Sequence, residues 1–186
     1  MRVLHVTHSI SGGGAAIAAR RIFEATRAQP GIDAHLITTT PLPEGLTDPR
    51  ITYFKPRNQR LNSKAESIAL RLQKSTNAAH RTLGLFPSGL GQHILQGNWD
   101  LIHLHWLGLG TLSIKEIGQI SQRIATAWTL HDSWPFCGAD HHPHFENDKR
   151  FASNYSPSSR SPKDARIDID ANTFRRKQRH WTTPIS

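Results

Sequence analysis

The stretch Met1-Arg2-Val3-Leu4-His5-Val6-Thr7, His8-Ser9-Ile10-Ser11, Gly12-Gly13-Gly14, Ala15-Ala16-Ile17-Ala18-Ala19-Arg20 runs from an apolar strand through three glycines into a helix. Without a Cβ, the backbone at such a join can approach a ligand closely. The helix that follows aims its free N–H groups and the positive end of its dipole back at the turn, which suits a phosphate. An α/β fold with a nucleotide-type ligand at Gly12, Gly13 and Gly14 is the expectation. The dinucleotide fingerprint is not met, because the G-x-G-x-x-G spacing is missing and no acidic residue ends the next strand. A merely tight turn is the plainer alternative, but one glycine would serve it.

Outward from this stretch the pattern continues in alternation. The first helix covers about residues 14–28, and Pro30-Gly31 breaks it. Strands follow at Ile32–Thr40 and Ile51–Phe54. Residues 57–80 read as one helix, with Leu61, Ala65, Ile68 and Leu72 on one arc and Arg57, Arg60, Lys64, Arg71 and Lys74 on the adjacent one. An apolar stripe beside a basic stripe suits an anionic membrane surface, and an ordinary solvated face is the equal alternative. Residues Leu83–Gly91 are rich in turn formers. A fourth strand spans Asp100–Trp106, Ser113 and Glu116 form a capping box that starts a short helix, and Ala125–Leu130 is a fifth strand. Residues 133–170 lack periodicity and read as a long loop excursion, and a basic helix starts near Thr173. Strands separated by helices imply right-handed crossovers. The predicted architecture is a Rossmann-like parallel sheet with helices on both faces, its first, fourth and fifth strands central.

The 186 residues suffice for one domain with a substantial core, 1–186. No apolar run reaches the roughly 18 residues of a membrane span, and the first residues do not resemble a signal peptide. A single cysteine, Cys137, excludes an internal disulfide and fits a reducing cytoplasm. The net charge of +9 is concentrated in residues 50–81 and 149–186, flanking a slightly acidic centre. Such blocks attract phosphates of nucleotide, anionic lipid or nucleic acid. No DNA or RNA recognition motif is present, and nucleic acid is not an expected partner.

Ligands of open parallel sheets bind beyond the C-terminal strand ends. Here those ends carry His8 with Gly12–Gly14, then His105 and Trp106, then His131, Asp132 and Trp134. Histidines and aromatics converging on one rim suit a sugar ring. His5 and His103 lie inside strands and read as buried core residues. Cys137, Asp140, His141, His142, His144, Glu146 and Asp148 are metal-ligand types, but lack the spacings that define a site, and solvated loop histidines are the plainer reading.

Three segments carry a family resemblance: Met1–Val6 with Ser11–Ala16, Asp100–Trp106, and Trp128-Thr129-Leu130-His131-Asp132-Ser133-Trp134-Pro135-Phe136-Cys137-Gly138. With the basic Arg175–Trp181, they resemble the N-terminal half of GT-B-fold glycosyltransferases of the GT4 (group 1) family. The similar branch makes colanic acid, other exopolysaccharides or O-antigen. The resemblance implies an acceptor-side domain of an enzyme of cell-surface polysaccharide synthesis. Its co-substrates would be a nucleotide sugar and a glycan or lipid-linked acceptor, with no metal required. Gly13 and Gly14 would approach the donor diphosphate together with Gly12. His131 would act at the donor sugar by positioning and electrostatics. His105, Trp106, Asp132 and Trp134 would line the substrate side. The location implied is cytoplasmic, peripheral at the inner face of the plasma membrane. The family's donor-binding domain has no counterpart in these residues, so the chain alone is expected to be inactive and to need that domain or a partner chain. A non-catalytic module for anionic membrane or nucleic acid, and a metal-dependent hydrolase using the His141–His144 loop, are the alternatives.

Overall fold

Val3 and Val6 favour an extended backbone, and both faces of their strand are buried, as expected of the centre of a parallel sheet. In the computed structural model, which describes residues 1–74, 79–143, 149–162 and 165–186, strand β1 (Arg2–Thr7) is that centre. Strands β2 (Asp33–Thr38) and β3 (Ile51–Tyr53) extend the sheet on one side. A two-residue strand β4 (Gln73–Lys74) lies outside it, and strands β5 (Leu101–Leu104) and β6 (Ala125–Trp128) complete it on the other side. The order is β3-β2-β1-β5-β6 and every pairing is parallel. This is a Rossmann-like α/β sheet. The strand expected to be central at 125–130 is instead an edge strand, at the opposite end of the sheet from β3. Among the described residues its free side meets only Ser186, whose N–H donates to Thr126 O at 3.1 Å and whose carbonyl accepts from Trp128 N–H at 2.7 Å.

Helices cover both faces. Helix α1 (Gly14–Arg27) buries Ala16, Ala19 and Phe23, a stripe spaced by three and four residues, against Ala34, Leu36 and Ile51. On the opposite face a short α2-independent layer is formed by helix α3 (Leu90–Gln96) and helix α4 (Ile114–Ser121), where α2 denotes Gln59–Leu70. Leu90, Ile94, Ile114, Ile117 and Ile120 pack there on Leu4, Val6, Ile102 and Leu104.

Three sequence expectations change. The helix expected over 57–80 ends at Leu70, so Leu72 and Lys74 leave its stripes, and residues 75–78 lie outside the described ones. Helix α3 falls partly in the turn-rich stretch and is too short to show a period. The basic helix, α5 (Ile169–His180), begins earlier than expected because the Asp168 carboxylate caps it, accepting from Ala171 N–H at 3.0 Å. Among its described residues, the excursion at 133–170 contains two short 3₁₀ turns, the two-residue strand β7 (Ala165–Arg166), which pairs with β4, and the start of α5. Its first part is nevertheless anchored. Arg81 bridges Asp140 at 3.0 Å and Asp170 at 2.8 Å, and Asp170 also accepts from Ala139 N–H. Gly138 lies so close to Asp170 that a Cβ would sit 2.7 Å from that residue's side chain.

The capping box expected at Ser113 and Glu116 is present, and it does more than start α4. The buried Glu116 carboxylate accepts from Ser113 N–H (2.8 Å) and from Ser88, Gly89 and Gly91 N–H (3.0, 2.9 and 3.2 Å). One side chain thus caps two helices, and α3 depends on it because Gly89 has no side chain to offer. Glu116→Ala leaves several buried N–H groups without acceptors and is expected to cost about 3 kcal/mol, against about 1 kcal/mol for Ser113→Ala. Urea unfolding of the two variants measures this, and equal losses would refute the double-cap role.

Candidate functional site

The chain leaves β1 toward β2 on one side and returns to β5 on the other. A crevice opens at the C-terminal ends of strands where connections diverge in this way, and it is the usual ligand position in such sheets. The glycine loop sits there. Gly12 and Gly13 have φ of 77° and 90°, a region that favours glycine, and Gly13 caps α1 without a side chain. Gly14 has no such φ, and a Cβ on any of the three would meet nothing within 4 Å. Packing therefore does not demand glycine at position 14. Together with His8 and Trp106 the loop lines a cavity of about 240 Å³. His8 N–H donates to Trp106 O at 2.9 Å and ties the two strand ends together. The His8 ring lies 3.1 Å from both Thr39 Oγ1 and Thr111 Oγ1, and burial, then the nearby His80, push its pKa down.

Asp132 is the polar node of the rim. It accepts from the Trp106 indole N–H at 2.6 Å, from Trp134 N–H at 3.0 Å and from His141 Nδ1 at 2.5 Å. Burial works against its charge, but the His141 ring and the two N–H donors outweigh it and hold the carboxyl below its ordinary range. The expected solvated state of His141 is not observed. That ring is 1% exposed, with Nδ1 on Asp132 and Nε2 2.8 Å from Thr82 Oγ1. Both nitrogens are thus held by protein partners rather than by solvent. His142 is exposed, and His144, Glu146 and Asp148 lie outside the described residues.

Trp134, expected at the substrate, is 1% exposed and belongs to the core. Its indole N–H donates to Thr82 O at 2.8 Å, and its ring stacks on His141. The buried Lys177 ammonium lies 4.1 Å from the Trp134 ring centre and donates to the carbonyls of Trp134, Cys137 and Gly138. Burial pushes its pKa well down, opposed by Cys137 and Asp132. Trp134 thus supports Asp132 and His141 from behind, and Trp106 is the aromatic that reaches the open cavity.

His105 is also enclosed, and it links two other imidazoles. His105 Nε2 lies 3.1 Å from His5 Nδ1, and His105 Nδ1 lies 3.3 Å from His131 Nε2. His103 stacks on His105 at 4.5 Å between ring centres and contacts Thr129 Oγ1 through Nε2 at 2.8 Å. Burial, then His103, lowers the His5 pKa to about 4. Burial, then its three histidine neighbours, lowers that of His105 to about 2. His131, at the half-buried end, is lowered by burial against the pull of Asp132. Sequence reading placed His105 and His131 at the rim, but placed His5 and His103 in the core as separate residues. The partner Thr82 was missed, since a single threonine carries no spacing signal.

No protein-family model matches the chain, and neither a curated protein nor a solved structure matches it.

The imidazole chain sets an acid limit on the fold. His5 and His105 titrate lower in the folded protein than the ordinary 6.5, so the unfolded chain takes up protons first. Their stabilisation is complete above pH 6.5 and is withdrawn as the pH falls toward about 4 for His5 and further for His105. Unfolding free energy is expected to be level above neutrality and to drop by about 3 kcal/mol between pH 6.5 and 4 from His5 alone. Urea midpoints across that range test this, and a midpoint indifferent to pH would show that the rings accept protons in place.

Proposed function

We propose that this chain is the acceptor-side domain of a nucleotide-sugar glycosyltransferase serving cell-surface polysaccharide synthesis, as its GT4-like segments imply. The observation that carries it is Gly14. A glycine in the first turn of α1, with ordinary φ and open space where a Cβ would go, weakens the helix and helps no packing. A diphosphate resting on the bare N–H groups of the loop accounts for it. His131, its pKa lowered, is neutral at pH 7 and offers a hydrogen-bonding edge beside the donor sugar. Trp106 and Asp132 supply the aromatic wall and fixed carboxylate.

A second cleft, of about 450 Å³, runs between α2 and the rim and includes Asn62, Glu66, His80, Arg81, Phe86 and Gly110. Its mix of polar and aromatic groups suits a glycan acceptor. Leu130 and Phe136, 52% and 41% exposed beside His131, give a donor-holding domain or partner chain an apolar surface to close on. Transfer requires that second body, because the loop alone offers about 1–2 kcal/mol to a nucleotide.

Gly14→Ala separates the two roles of the loop. It is expected to stabilise the protein by about 0.5–1 kcal/mol and to weaken nucleotide-sugar binding. Amide chemical shifts during titration with UDP-glucose and GDP-mannose read the binding. Shifts confined to Gly12–Ala15 and lost in Gly14→Ala support the proposal, whereas shifts elsewhere, or unchanged binding in the variant, refute it.

Helix α2 favours a membrane-bound acceptor, and equally a non-catalytic membrane module. It buries no residue, and Leu61 and Ile68 are 67% and 64% exposed beside Arg60 and Lys64. Among the described residues no helix is long and apolar enough to cross a membrane. Surface attachment is therefore the mode this face suits. Vesicles with anionic lipid are expected to bind the protein, salt to weaken the binding, and the double variant Leu61→Glu, Ile68→Glu to abolish it. Equal binding to neutral vesicles would leave the basic face as ordinary solvated surface.

A further inference from the structure

The glycosyltransferase proposal gives no task to His5 and His103. We propose that His5, His103 and His105 bind one first-row transition-metal ion, with Zn²⁺ the best fit. Among the described residues this is the one group whose ligand atoms, one from each of three side chains, all lie within 4.8 Å of one another. The sheet builds it. His5 stands opposite His103 in the register of β1 and β5, and His105 follows His103 by two residues, on the same face. Ring centres are 4.9, 5.4 and 4.5 Å apart. Three imidazoles bonded to one tetrahedral ion at about 2.0 Å place their centres about 5 Å apart.

Two further observations point to an ion. First, His5 Nε2 is buried with no hydrogen-bond partner among the described residues, so the ring can turn a lone pair to an ion without giving up a protein contact at that atom. A neutral His5 ring always has one lone pair inside the cluster or at this orphan nitrogen. Second, two of the rings are oriented from outside, His103 by Thr129 Oγ1 and His105 by His131 Nε2. Such outer contacts fix the tautomer of a ligating histidine and leave its other nitrogen for the metal. His103 and His131 are only partly buried, which provides an entry path. A water completes the tetrahedron. Imidazole ligands select Zn²⁺, Co²⁺ or Cu²⁺, whereas Mg²⁺ and Ca²⁺ require oxygen and are not expected to bind.

The site is independent of sugar transfer, and so is its test. Tag-free, chelator-treated protein is titrated calorimetrically with ZnCl₂, and its histidine ring ¹⁵N signals are followed by NMR. One Zn²⁺ per chain is expected, with the His5, His103 and His105 signals moving together and MgCl₂ giving no response. His103→Ala is expected to abolish the binding and Thr129→Val to weaken it about 10-fold. The double variant His35→Gln, His142→Gln, at rings outside the cluster, should bind as the parent does. If His103→Ala fails to fold, the ring signals of the parent decide. Absence of binding, survival of binding in folded His103→Ala, loss of it in the double variant, or unmoved signals of the three rings would each overturn the proposal.

Discussion

Parallel pairing of β1 with β5 sets His5 beside His103 and brings Thr7–His8 to the level of His105 and Trp106. Everything distinctive about the molecule depends on that register. Because strand side chains alternate, Leu4, Val6, Ile102 and Leu104 go to the α3–α4 core, and His5, His103 and His105 go to the other face. A slip of β5 by one residue against β1 would send His103 and His105 into the aliphatic core and Ile102 and Leu104 out of it. The register also brings the glycine loop to the mouth of the β1–β5 crevice, with Trp106 across from it.

The irregular segment after β6 is held by charge rather than by secondary structure. Lys177 donates to three carbonyls of that segment, Arg81 bridges Asp140 and Asp170, and Asp132 gathers Trp106, Trp134 and His141. Buried charges contribute little net stability when all their partners are satisfied, but removing one partner is costly. Such a network fixes one conformation of a chain that has no ladder or helix to fix it. The consequence at the rim is a carboxylate and an aromatic edge whose positions are set from beneath by α5.

The glycine loop shows the opposite economy. Gly12 and Gly13 are required by their backbone angles, yet Gly14 opens a helix with no side-chain cap and with open space around it. Elsewhere the local choices agree with the fold, as in the Ser113–Glu116 box and the Asp168 cap. Places where local preference is sacrificed are those where function is expected to impose a demand of its own.

The alternation of strands and helices, the parallel sheet and the α4 capping box were legible in the residues alone. Period, glycine punctuation and cap chemistry are all local, and each acts over a few residues. The sequence also located His8, His105, Trp106, His131 and Asp132 at one rim, because parallel strands put their C-terminal ends together. Long-range packing set the strand order, which leaves β6 at an edge, and the length of α2, whose expected continuation breaks at Arg71. The tertiary structure alone showed that Trp134 and His141 are enclosed, since their burial is produced by α5 and Thr82, which lie about fifty residues away in either direction. The imidazole cluster was hidden for the same reason. Its members are separated by up to 100 residues, and only the β1–β5 register brings them within reach of one proton or one ion.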